Sequence, residues 1–424
     1  MQSIKMLKQD KKKQTIFILD HDWNGHHATY FKIFTKILIE LGYHVIAICP
    51  CPEELKEWTH LNCPSQIDAL QIFPFQQFKS DFSISLNKPG LRRLHQPVSA
   101  LTSWFQAASN IERISSEVGI SPNLVFFPWL DSYLGYYLIP QVIDLIFPYK
   151  WTGLYFQPRH LRRKKKMPFL PSHPFPPHGL LRSKNCQSVN ILDEGVVKKL
   201  QAVIKDKPFF VFPDFTDETL PDRGFPMLEK IQDQAKGKKI IGLFGSLEKR
   251  KGLLKFLEII QTAIKEDWFF VCVGKLDTKS FTSQDLNAID KIVSLNPENS
   301  FICFERIPDE SKFNALVDIC DILFAIYDYP HSSNILTKAA VFEKLVISSN
   351  EFCMAERVEK FQLGVTVQKD DTAKSIEGLK CLILRQDLNG NQLQPNFEGY
   401  RKAHSNVRIY EYFETILKSL DESF

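Results

Sequence analysis

Short apolar runs of strand length alternate with longer amphipathic runs along this chain, and the alternation starts twice. The first series opens with a predicted strand over Gln14–Leu19, then a polar turn, a helix over Ala28–Leu41 and a strand over Val45–Cys49. The second series opens with a predicted strand over Lys239–Phe244. Parallel strands need crossover connections, which are usually helices. The repeated alternation therefore predicts an α/β fold with two doubly wound, Rossmann-like domains.

The domain boundaries follow from the same pattern. A chain of 424 residues is long enough for two or three domains of about 150 residues each. The alternation favours two, an N-terminal domain over 1–207 and a C-terminal domain over 208–400. The last apolar periodicity predicts a helix over Tyr400–Leu420. We expect this C-terminal segment, 401–424, to pack back on the N-terminal domain.

A basic and proline-rich segment lies near 159–182. Six Lys or Arg residues stand between Arg159 and Lys166, and six prolines fall between Pro158 and Pro177. Proline disrupts helices and central strands, so the sequence predicts a long loop here. Two interpretations stay open. The loop is either solvated and flexible, or it is a basic, Phe-bearing flap for an anionic membrane surface or an anionic substrate.

No segment has the features of a signal peptide or a membrane span. The N-terminus is polar and basic, and the most apolar stretch, Ser132–Tyr149, contains Asp144 and two prolines. We expect that stretch to form a buried helix. The nine cysteines are an odd number and mostly lie in apolar runs, which favours reduced thiols. These features predict a cytoplasmic protein, with peripheral membrane contact as the alternative.

Charge and cysteine spacing narrow the range of partners. The net charge is +4, from 53 basic and 49 acidic residues, whereas proteins that bind nucleic acid over their surface are usually more basic. We therefore expect no nucleic-acid partner. Cys49-Pro50-Cys51 has no second pair at metal-ligand spacing, so we expect this pair to be structural. We expect no metal site and no permanently bound cofactor.

Three polar turns each follow a predicted strand and precede a predicted helix. They are Asn24–His27 in the first domain, and Gly245–Gly252 and His331–Asn334 in the second. Ligands of open parallel sheets bind beyond the carboxyl ends of the strands, where helix N-termini favour anions. The second turn adds three consecutive cations, which suit a diphosphate. Taken singly, each turn is also typical of an ordinary helix cap or a solvated turn.

Together these turns resemble those of the GT-B glycosyltransferases, and most closely of glycosyltransferase family 4. Gly245–Gly252 is similar to that family's Gly-Arg-x-x-x-x-Lys-Gly, whose Arg and Lys hold the donor diphosphate, and Lys251 matches the Lys. Ser246 replaces the Arg, and we expect Arg250 to compensate. Ser332–Ser349 resembles the second signature of the family. The resemblance covers most of the chain and implies two Rossmann-like domains that face a cleft.

The sequence departs from the family at its paired glutamates, which would fall at Pro330 and Lys338. In the family the first contacts the donor sugar and the second the ribose, so the resemblance implies altered donor recognition or lost catalysis. Gly25 matches the glycine-rich first turn. Asp131 stands where the family often carries a sugar-contacting acidic residue or histidine. Asp131 and His26 are therefore the candidate catalytic residues that position donor or acceptor hydroxyls.

The resemblance implies a glycosyltransferase of the hexosyltransferase type. Its donor would be a nucleoside diphosphate sugar and its acceptor a carbohydrate or lipid-linked hydroxyl, with retention of configuration and without a metal ion. The candidate donor-binding residues are Gly25, Ser246, Arg250, Lys251, Ser332, Ser333, Asn334 and Lys338. The missing glutamates leave open a non-catalytic nucleotide-sugar-binding or scaffold protein on the same fold. An epimerase would need catalytic carboxylates that the sequence does not place.

Overall fold

The computed structural model describes residues 14–24, 26–78, 92–162, 175–216, 218–328 and 332–421. The chain divides into two compact units. The first comprises Met1–Phe212 with Ile409–Phe424, and the second comprises Pro213–Arg408. Each unit is built on one parallel sheet with helices around it. The prediction of a two-domain, Rossmann-like α/β fold is therefore confirmed.

The first unit contains a seven-stranded parallel sheet of order β3-β2-β1-β4-β5-β6-β7. Its central strands are buried along their whole length, which explains why they appear in the sequence as continuous apolar runs. The order reverses between β1 and β4, so the ends of these two strands lie at the switch point of the sheet. The strands are β1 (Thr15–Leu19), β2 (His44–Cys49), β3 (Leu70–Pro74), β4 (Leu124–Phe127), β5 (Trp151–Tyr155), β6 (Cys186–Ile191) and β7 (Phe209–Val211).

Helices connect these strands, and the longest of them builds the main aromatic core. Trp104 on this helix, α3, is fully buried, and its ring centroid lies 5.5 Å from that of Phe127, 5.1 Å from that of Phe147 and 5.3 Å from that of Trp151. The helices are α1 (His26–Glu40), α2 (Pro52–Asn62), α3 (Arg92–Val118), α4 (Pro140–Ile146), α5 (Arg159–Arg162) and α6 (Glu194–Val203).

The second unit contains a six-stranded parallel sheet of order β10-β9-β8-β11-β12-β13, with its switch point between β8 and β11. Apolar clusters cover both faces of this sheet. The strands are β8 (Lys239–Phe244), β9 (Trp268–Val273), β10 (Ser300–Cys303), β11 (Ile322–Ala325), β12 (Leu345–Ser349) and β13 (Gly364–Val367). The helices are α7 (Pro226–Ala235), α8 (Leu253–Thr262), α9 (Ser283–Leu295), α10 (Glu310–Asp318), α11 (Ile335–Val341), α12 (Phe352–Lys360), α13 (Thr372–Ile383) and α14 (Phe397–Ala403).

The last helix, α15 (Asn406–Asp421), belongs from Ile409 onward to the first unit. The ring of Phe413 lies 5.5 Å from that of Phe34 and 5.1 Å from that of Phe126, and the Tyr412 hydroxyl donates to Asn190. The first unit also extends to Phe212 rather than to residue 207, because β7 pairs with β6.

Three local predictions differ from the structure. The stretch Ser132–Tyr149 forms only the short helix α4, since Pro140 starts a helix and Pro148 follows its end. The predicted helix over Tyr400–Leu420 is two helices, α14 and α15, separated at His404 and Ser405. The proline-rich segment is not loop throughout, because Arg159–Arg162 and Pro177–Arg182 are helical, while 163–174 lie outside the described residues. None of the helices in the described ranges is both long and apolar enough to cross a membrane.

Candidate functional site

The switch point of the second unit is where two polar turns meet. The turn Gly245–Gly252 follows β8 and the residues from Ile326 follow β11. The backbone N–H of Asp328 donates to the carbonyl of Arg250 at 2.8 Å, so the two turns are joined directly. This edge of an open parallel sheet is the usual position of a ligand.

Two glycines of the first turn are required by their backbone conformation, and one of them also by this close approach. Gly252 has a φ of 75°, and a Cβ at this position would lie 2.1 Å from the carbonyl oxygen of Ile326. Gly245 has a φ of 101°, which side chains rarely adopt. Contact between the β8 and β11 turns therefore requires Gly252, which leads directly into α8, whereas Gly245 is required by its positive φ.

The three consecutive cations of this turn have different partners. Lys249 Nζ lies 2.6 Å from Asp285 Oδ2. Arg250 donates to both carboxylate oxygens of Glu248, at 2.5 and 2.8 Å. Ser246 is exposed, and its hydroxyl donates to the same glutamate. Lys249 and Arg250 are therefore neutralised by carboxylates of the protein itself, which the sequence prediction of three cations for one diphosphate did not include.

Lys251 differs from its two neighbours. Its ammonium lies 3.7 Å from the position that a Cβ on Gly245 would occupy. Burial, together with the neighbouring positive charge of Arg250, lowers the pKa of Lys251 to about 8, although Glu248 opposes the shift. Within the described parts of the chain, no carboxylate forms an ion pair with it. A desolvated ammonium beside glycine backbone is suited to an anionic ligand.

Lys338, predicted to bind the donor, is held by α10. Its side chain is 1% exposed, and Nζ lies 2.9 Å from Glu310 Oε2 and 2.5 Å from Asn314 Oδ1. The ammonium also lies 4.9 Å from the ring centroid of Phe313, whose edge approaches Gly245. Through Phe313, Lys338 therefore lies on the side of Gly245, the glycine that Lys251 also approaches, but the charge of Lys338 is balanced by Glu310.

The predicted turn after β11 is described only in part. His331 and Pro330 lie outside the described residues. Ser332, Ser333 and Asn334 are half-buried, and Ser333 Oγ lies 3.4 Å from the hydroxyl of Tyr327. Asn334 caps α11 without a side-chain cap bond. These three residues lie in the turn between β11 and α11, and β11 is the neighbour of β8, whose end carries the Lys251 turn.

A second set of polar side chains lies at the switch point of the first unit, at the ends of β1 and β4. Asp20 follows β1 directly and is 1% exposed. Its Oδ2 lies 2.8 Å from Nδ1 of His27 in the first turn of α1. The His27 ring stacks on Trp129, with centroids 4.2 Å apart, and Trp129 stacks on Phe156 at the same distance. These contacts fix the imidazole in position and orientation.

The charges around His27 favour its protonated form. Burial lowers the pKa of His27, but the hydrogen bond to Asp20 and the negative charges of Asp20, Asp22 and Asp131 outweigh it and raise the pKa above the ordinary value of 6.5. His21, in contrast, has its pKa lowered, mainly by burial. His27 is thus protonated more readily than an ordinary histidine, and His21 less readily.

Asp131, predicted as a catalytic residue, accepts two backbone hydrogen bonds. Its Oδ2 lies 2.8 Å from the N–H of Phe156 and its Oδ1 lies 2.7 Å from the N–H of Gln157. The carboxylate thus holds the chain after β5 and adds negative charge near His27. Gly25 lies outside the described residues. His26 is the first residue of α1, and its side chain is not among those that the structure describes.

The sequence analysis missed two residues of this group, His27 and Asp20. Adjacent residues of a helix point about 100° apart, so the pair His26-His27 does not by itself tell which imidazole faces the sheet edge. A signal for Asp20 was present, because an acidic residue directly after a buried strand lies at the ligand-binding edge of a parallel sheet. Glu248 and Glu310, which neutralise Arg250 and Lys338, were also missed.

No protein-family model matches this sequence, and no curated protein matches it. Solved structures do. A glycosyltransferase from Rickettsia africae is 15% identical, with 96% of this chain and 98% of that chain covered and a TM-score of 0.62. Sucrose-phosphate synthase from Thermosynechococcus elongatus is 11% identical, with 97% and 100% covered and a TM-score of 0.64. HepE from Anabaena, in complex with UDP, is 11% identical, with 96% and 100% covered and a TM-score of 0.61.

The chain has the fold of these glycosyltransferases. The similarity extends over nearly the whole length of each chain, so it includes both units rather than one Rossmann-like domain. The GT-B fold that the sequence resemblance implied is thereby confirmed. Assignment to family 4 stays a prediction, as do the roles of the individual site residues.

Proposed function

We propose that this protein is a glycosyltransferase whose second unit binds a nucleoside diphosphate sugar through Lys251. The observation that carries the proposal is a desolvated ammonium beside Gly245 at the switch point of a GT-B fold. A diphosphate would restore the ammonium's electrostatic partners and contact the glycine backbone closely. UDP is the nucleotide to test first, because a structural neighbour, HepE, was solved with UDP and with UDP-glucose.

The geometry of this unit supports the following individual roles. Lys251 would stabilise the leaving diphosphate, and the exposed Ser246 and the residues Ser332–Asn334 would contact the phosphates or the nucleoside. Arg250 would order the turn through Glu248, and Lys338 would orient Glu310. Such electrostatic stabilisation is usually the largest contribution to catalysis of this kind. Transfer without a metal ion stays a prediction, and unchanged UDP binding and turnover in EDTA would support it.

The proposal is tested by thermal unfolding of the full chain with UDP and with UDP-glucose. A ligand at 100 times its dissociation constant adds about 2.7 kcal/mol to the free energy of unfolding. We expect both compounds to raise the melting temperature, and UDP-glucose to release UDP when incubated with the protein. The absence of any shift at millimolar concentrations would overturn the nucleotide-binding proposal.

UDP affinity should depend on pH through Lys251. The free protein has a pKa of about 8 at this residue, and the ligand needs the protonated form. We therefore expect UDP affinity to be nearly constant up to about pH 7, to fall about twofold by about pH 8, and to fall above that by up to about tenfold per pH unit. Isothermal titration between pH 6.5 and 9.5 measures this. A flat profile across that range would mean that Lys251 does not contact the diphosphate.

A non-catalytic nucleotide-sugar-binding protein is the second candidate. One observation favours it. Lys338 stands at a position where the family that this sequence resembles carries a glutamate, and the charge of Lys338 is already balanced by Glu310. Both candidates predict stabilisation by UDP. They differ in turnover, because only the enzyme releases UDP from UDP-glucose or transfers glucose to an acceptor.

We further propose that the first unit contacts a membrane peripherally, and that this contact gives the protein access to a lipid-linked acceptor. Most of the exposed side chains around α4 are apolar, with Gln141 as an exception, and Leu145 is 84% exposed. The others of this group are Tyr137, Ile139, Val142 and Phe175. The backbone N–H of Tyr137 donates to the carbonyl of Phe175, so Phe175 lies beside the segment that leads into α4. In the sequence the basic run Arg159–Lys166 precedes Phe175. Apolar side chains combined with Lys and Arg are typical of an anionic interface.

Partitioning to vesicles tests this contact. Burial of a leucine is worth about 1.5–3 kcal/mol, so Leu145→Ser should lower binding to phosphatidylserine-containing vesicles by about tenfold or more. Removal of Arg162–Lys166 should weaken it further and abolish its dependence on anionic lipid. The matched control is Leu295→Ser, which changes a 63% exposed leucine of the second unit. Equal sedimentation of all variants with the vesicles would exclude the contact.

A further inference from the structure

We propose that Glu310 binds the ribose hydroxyls of the nucleotide and that Lys338 holds the Glu310 carboxylate in position for this contact. The inference rests on the proposed function and adds the residue that recognises the nucleoside. Both residues belong to the second unit, so the site requires nothing from the first. The sequence analysis predicted that Lys338 itself binds the donor and did not select Glu310.

The ammonium of Lys338 is held from two sides by α10. Its side chain is 1% exposed, and Nζ lies 2.9 Å from Glu310 Oε2 and 2.5 Å from Asn314 Oδ1. Asn314 is itself fixed, because its Nδ2 donates to the carbonyl of Thr219 at 2.7 Å. A buried ammonium needs such partners, since removing it from water is costly. Lys338 therefore forms a rigid support for a carboxylate.

Glu310 is covered on one side only. Its side chain is 49% exposed, although the lysine that it contacts is almost fully buried. Oε2 accepts from Lys338, and among the residues that the structure describes no hydrogen bond reaches Oε1. Glu310 is also the first residue of α10, where the helix dipole favours a negative charge. One carboxylate oxygen is thus held in place while the other is left for a ligand.

The position of Glu310 places it at the edge of the sheet that carries the Lys251 turn. It follows β10 through a short connection, and the carboxyl ends of parallel strands share one edge. Lys338 Nζ lies 4.9 Å from the ring centroid of Phe313, and that ring lies 3.5 Å from the position of a Cβ on Gly245. The Lys251 ammonium approaches the same position to 3.7 Å. Glu310 therefore borders the proposed diphosphate site from the side of α10.

The chemistry of a carboxylate restricts what Glu310 can bind. An ionised carboxylate only accepts hydrogen bonds and repels phosphate, so its ligand is a hydroxyl or an N–H group. In a nucleoside diphosphate, the ribose hydroxyls are the first such donors on the nucleoside side of the diphosphate. A carboxylate at the carboxyl edge of a Rossmann-like sheet commonly accepts from a ribose hydroxyl. The ribose is therefore the group that we expect Glu310 to recognise.

The experiment measures binding of UDP and of 2′,3′-dideoxy-UDP to the full chain by isothermal titration. The analogue keeps the base and the diphosphate but lacks both ribose hydroxyls. We expect the parent to prefer UDP by about 10- to 150-fold, because the analogue loses hydrogen bonds to a charged group. Glu310→Ala should bind the two compounds within about threefold of each other, mainly by losing affinity for UDP.

The matched control is Glu377→Ala, which changes another half-exposed glutamate of the second unit. Glu377 is 50% exposed and pairs with Lys374 at 2.8 Å on α13. Its removal also breaks one lysine–glutamate pair, but away from the Lys251 turn. We expect this variant to keep the parent's preference for UDP.

Lys338→Met tests the positioning role separately. Loss of the ammonium leaves the Glu310 carboxylate without its fixed partner, so the preference for UDP over the analogue should decrease while affinity for the analogue stays the same. A merely structural role of Lys338 would weaken both compounds equally. In the Glu310→Ala background the same substitution should leave the ratio of the two affinities unchanged, because the group that Lys338 positions is already absent.

The outcomes separate this inference from the proposed function. If the parent binds UDP and the analogue equally well, the ribose contact is overturned and nucleotide binding stands. Equal weakening of both compounds in Glu310→Ala would also overturn it, since the contact would then be to the base or purely structural. An effect on UDP-glucose without any effect on UDP would place Glu310 at the transferred sugar instead. If UDP does not bind the parent at all, the proposed function fails and the ribose contact fails with it.

Discussion

Lys251→Met should bind UDP about 10- to 150-fold more weakly than the parent and yet unfold at a higher temperature when no ligand is present. A hydrogen bond to a charged group contributes about 1.5–3 kcal/mol, which sets the loss of affinity. The gain in stability has the opposite cause. Burial lowers the pKa of Lys251 from 10.5 to about 8, so the folded state of the free protein carries a desolvation penalty that methionine removes.

The sign of the pH dependence follows from the same shift. Below pH 8 both the folded and the unfolded chain hold the proton, and the penalty at Lys251 is fully present. Between pH 8 and 10.5 the unfolded chain binds more protons than the folded one, so the contribution of this residue to stability rises with pH. The parent and Lys251→Met should therefore approach each other in stability as the pH increases through this range.

Thermal unfolding with and without UDP gives both effects in one measurement. At 100 times the parent dissociation constant, UDP adds about 2.7 kcal/mol to the parent but only about 0.4 kcal/mol to a variant that binds 100-fold more weakly. Lys265→Met is the matched control, because it removes an exposed lysine of the same unit and should change neither value. If Lys251→Met kept the full UDP stabilisation, the diphosphate would have to bind elsewhere.

Arg357→Met should destabilise the second unit by about 3–5 kcal/mol, because it leaves a buried carboxylate without its ion-pair partner. Arg357 is 2% exposed, and its Nη1 lies 3.1 Å from Oδ2 of Asp214. The N–H of Asp214 donates to Nδ1 of His404 at 3.0 Å, and its carbonyl accepts the Thr337 hydroxyl. The His404 ring stacks on Tyr400. The network thus joins α11, α12 and the end of α14 to the start of the second unit.

Urea denaturation measures this loss, and a double variant isolates its cause. Arg357→Met with Asp214→Leu removes both charges and should recover much of the stability, since a buried ion pair replaced by apolar groups is often neutral. Arg401→Met is the control, because Arg401 pairs with Glu343 at the surface and should cost less than about 1 kcal/mol. A loss of the same small size for Arg357→Met would show that the buried pair contributes little.

Acid should weaken the same network. Burial, reinforced by Arg357 and Lys360, lowers the pKa of His404 to about 2. Below the ordinary histidine value of 6.5 the unfolded chain takes up a proton that the folded chain does not, so stability falls as the pH decreases.

Much of the fold could be predicted from the sequence because parallel strands covered on both faces must be apolar throughout. β1 and β8 were found for this reason, and β8 has its predicted bounds, Lys239–Phe244. β3 was missed, since this edge strand is only half-buried and carries no continuous apolar run. α14 and α15 were joined into one helix because apolar periodicity continues across His404, where the chain turns to reach the Asp214 network.

The glycines and lysine of the turn Gly245–Gly252 could likewise be identified from the sequence, because spacing after a strand is a local property. Local spacing fixed the positions of the three cations but not their partners. Asp285 and Glu248 neutralise Lys249 and Arg250, and only the arrangement of α9 and the turn in space shows that Lys251 is the cation left for a ligand.

The amino-acid sequence by itself determined the parallel α/β class, the two domains, the GT-B resemblance and the turn that carries Lys251. These depend on apolar periodicity and on spacing along the chain. The tertiary structure alone decided which side chains act together, such as His27 with Asp20 rather than His26, and Lys338 with Glu310. The physical reason is that charge and proton affinity depend on neighbours in space, which the rotation of a helix and the crossing of distant strands bring together.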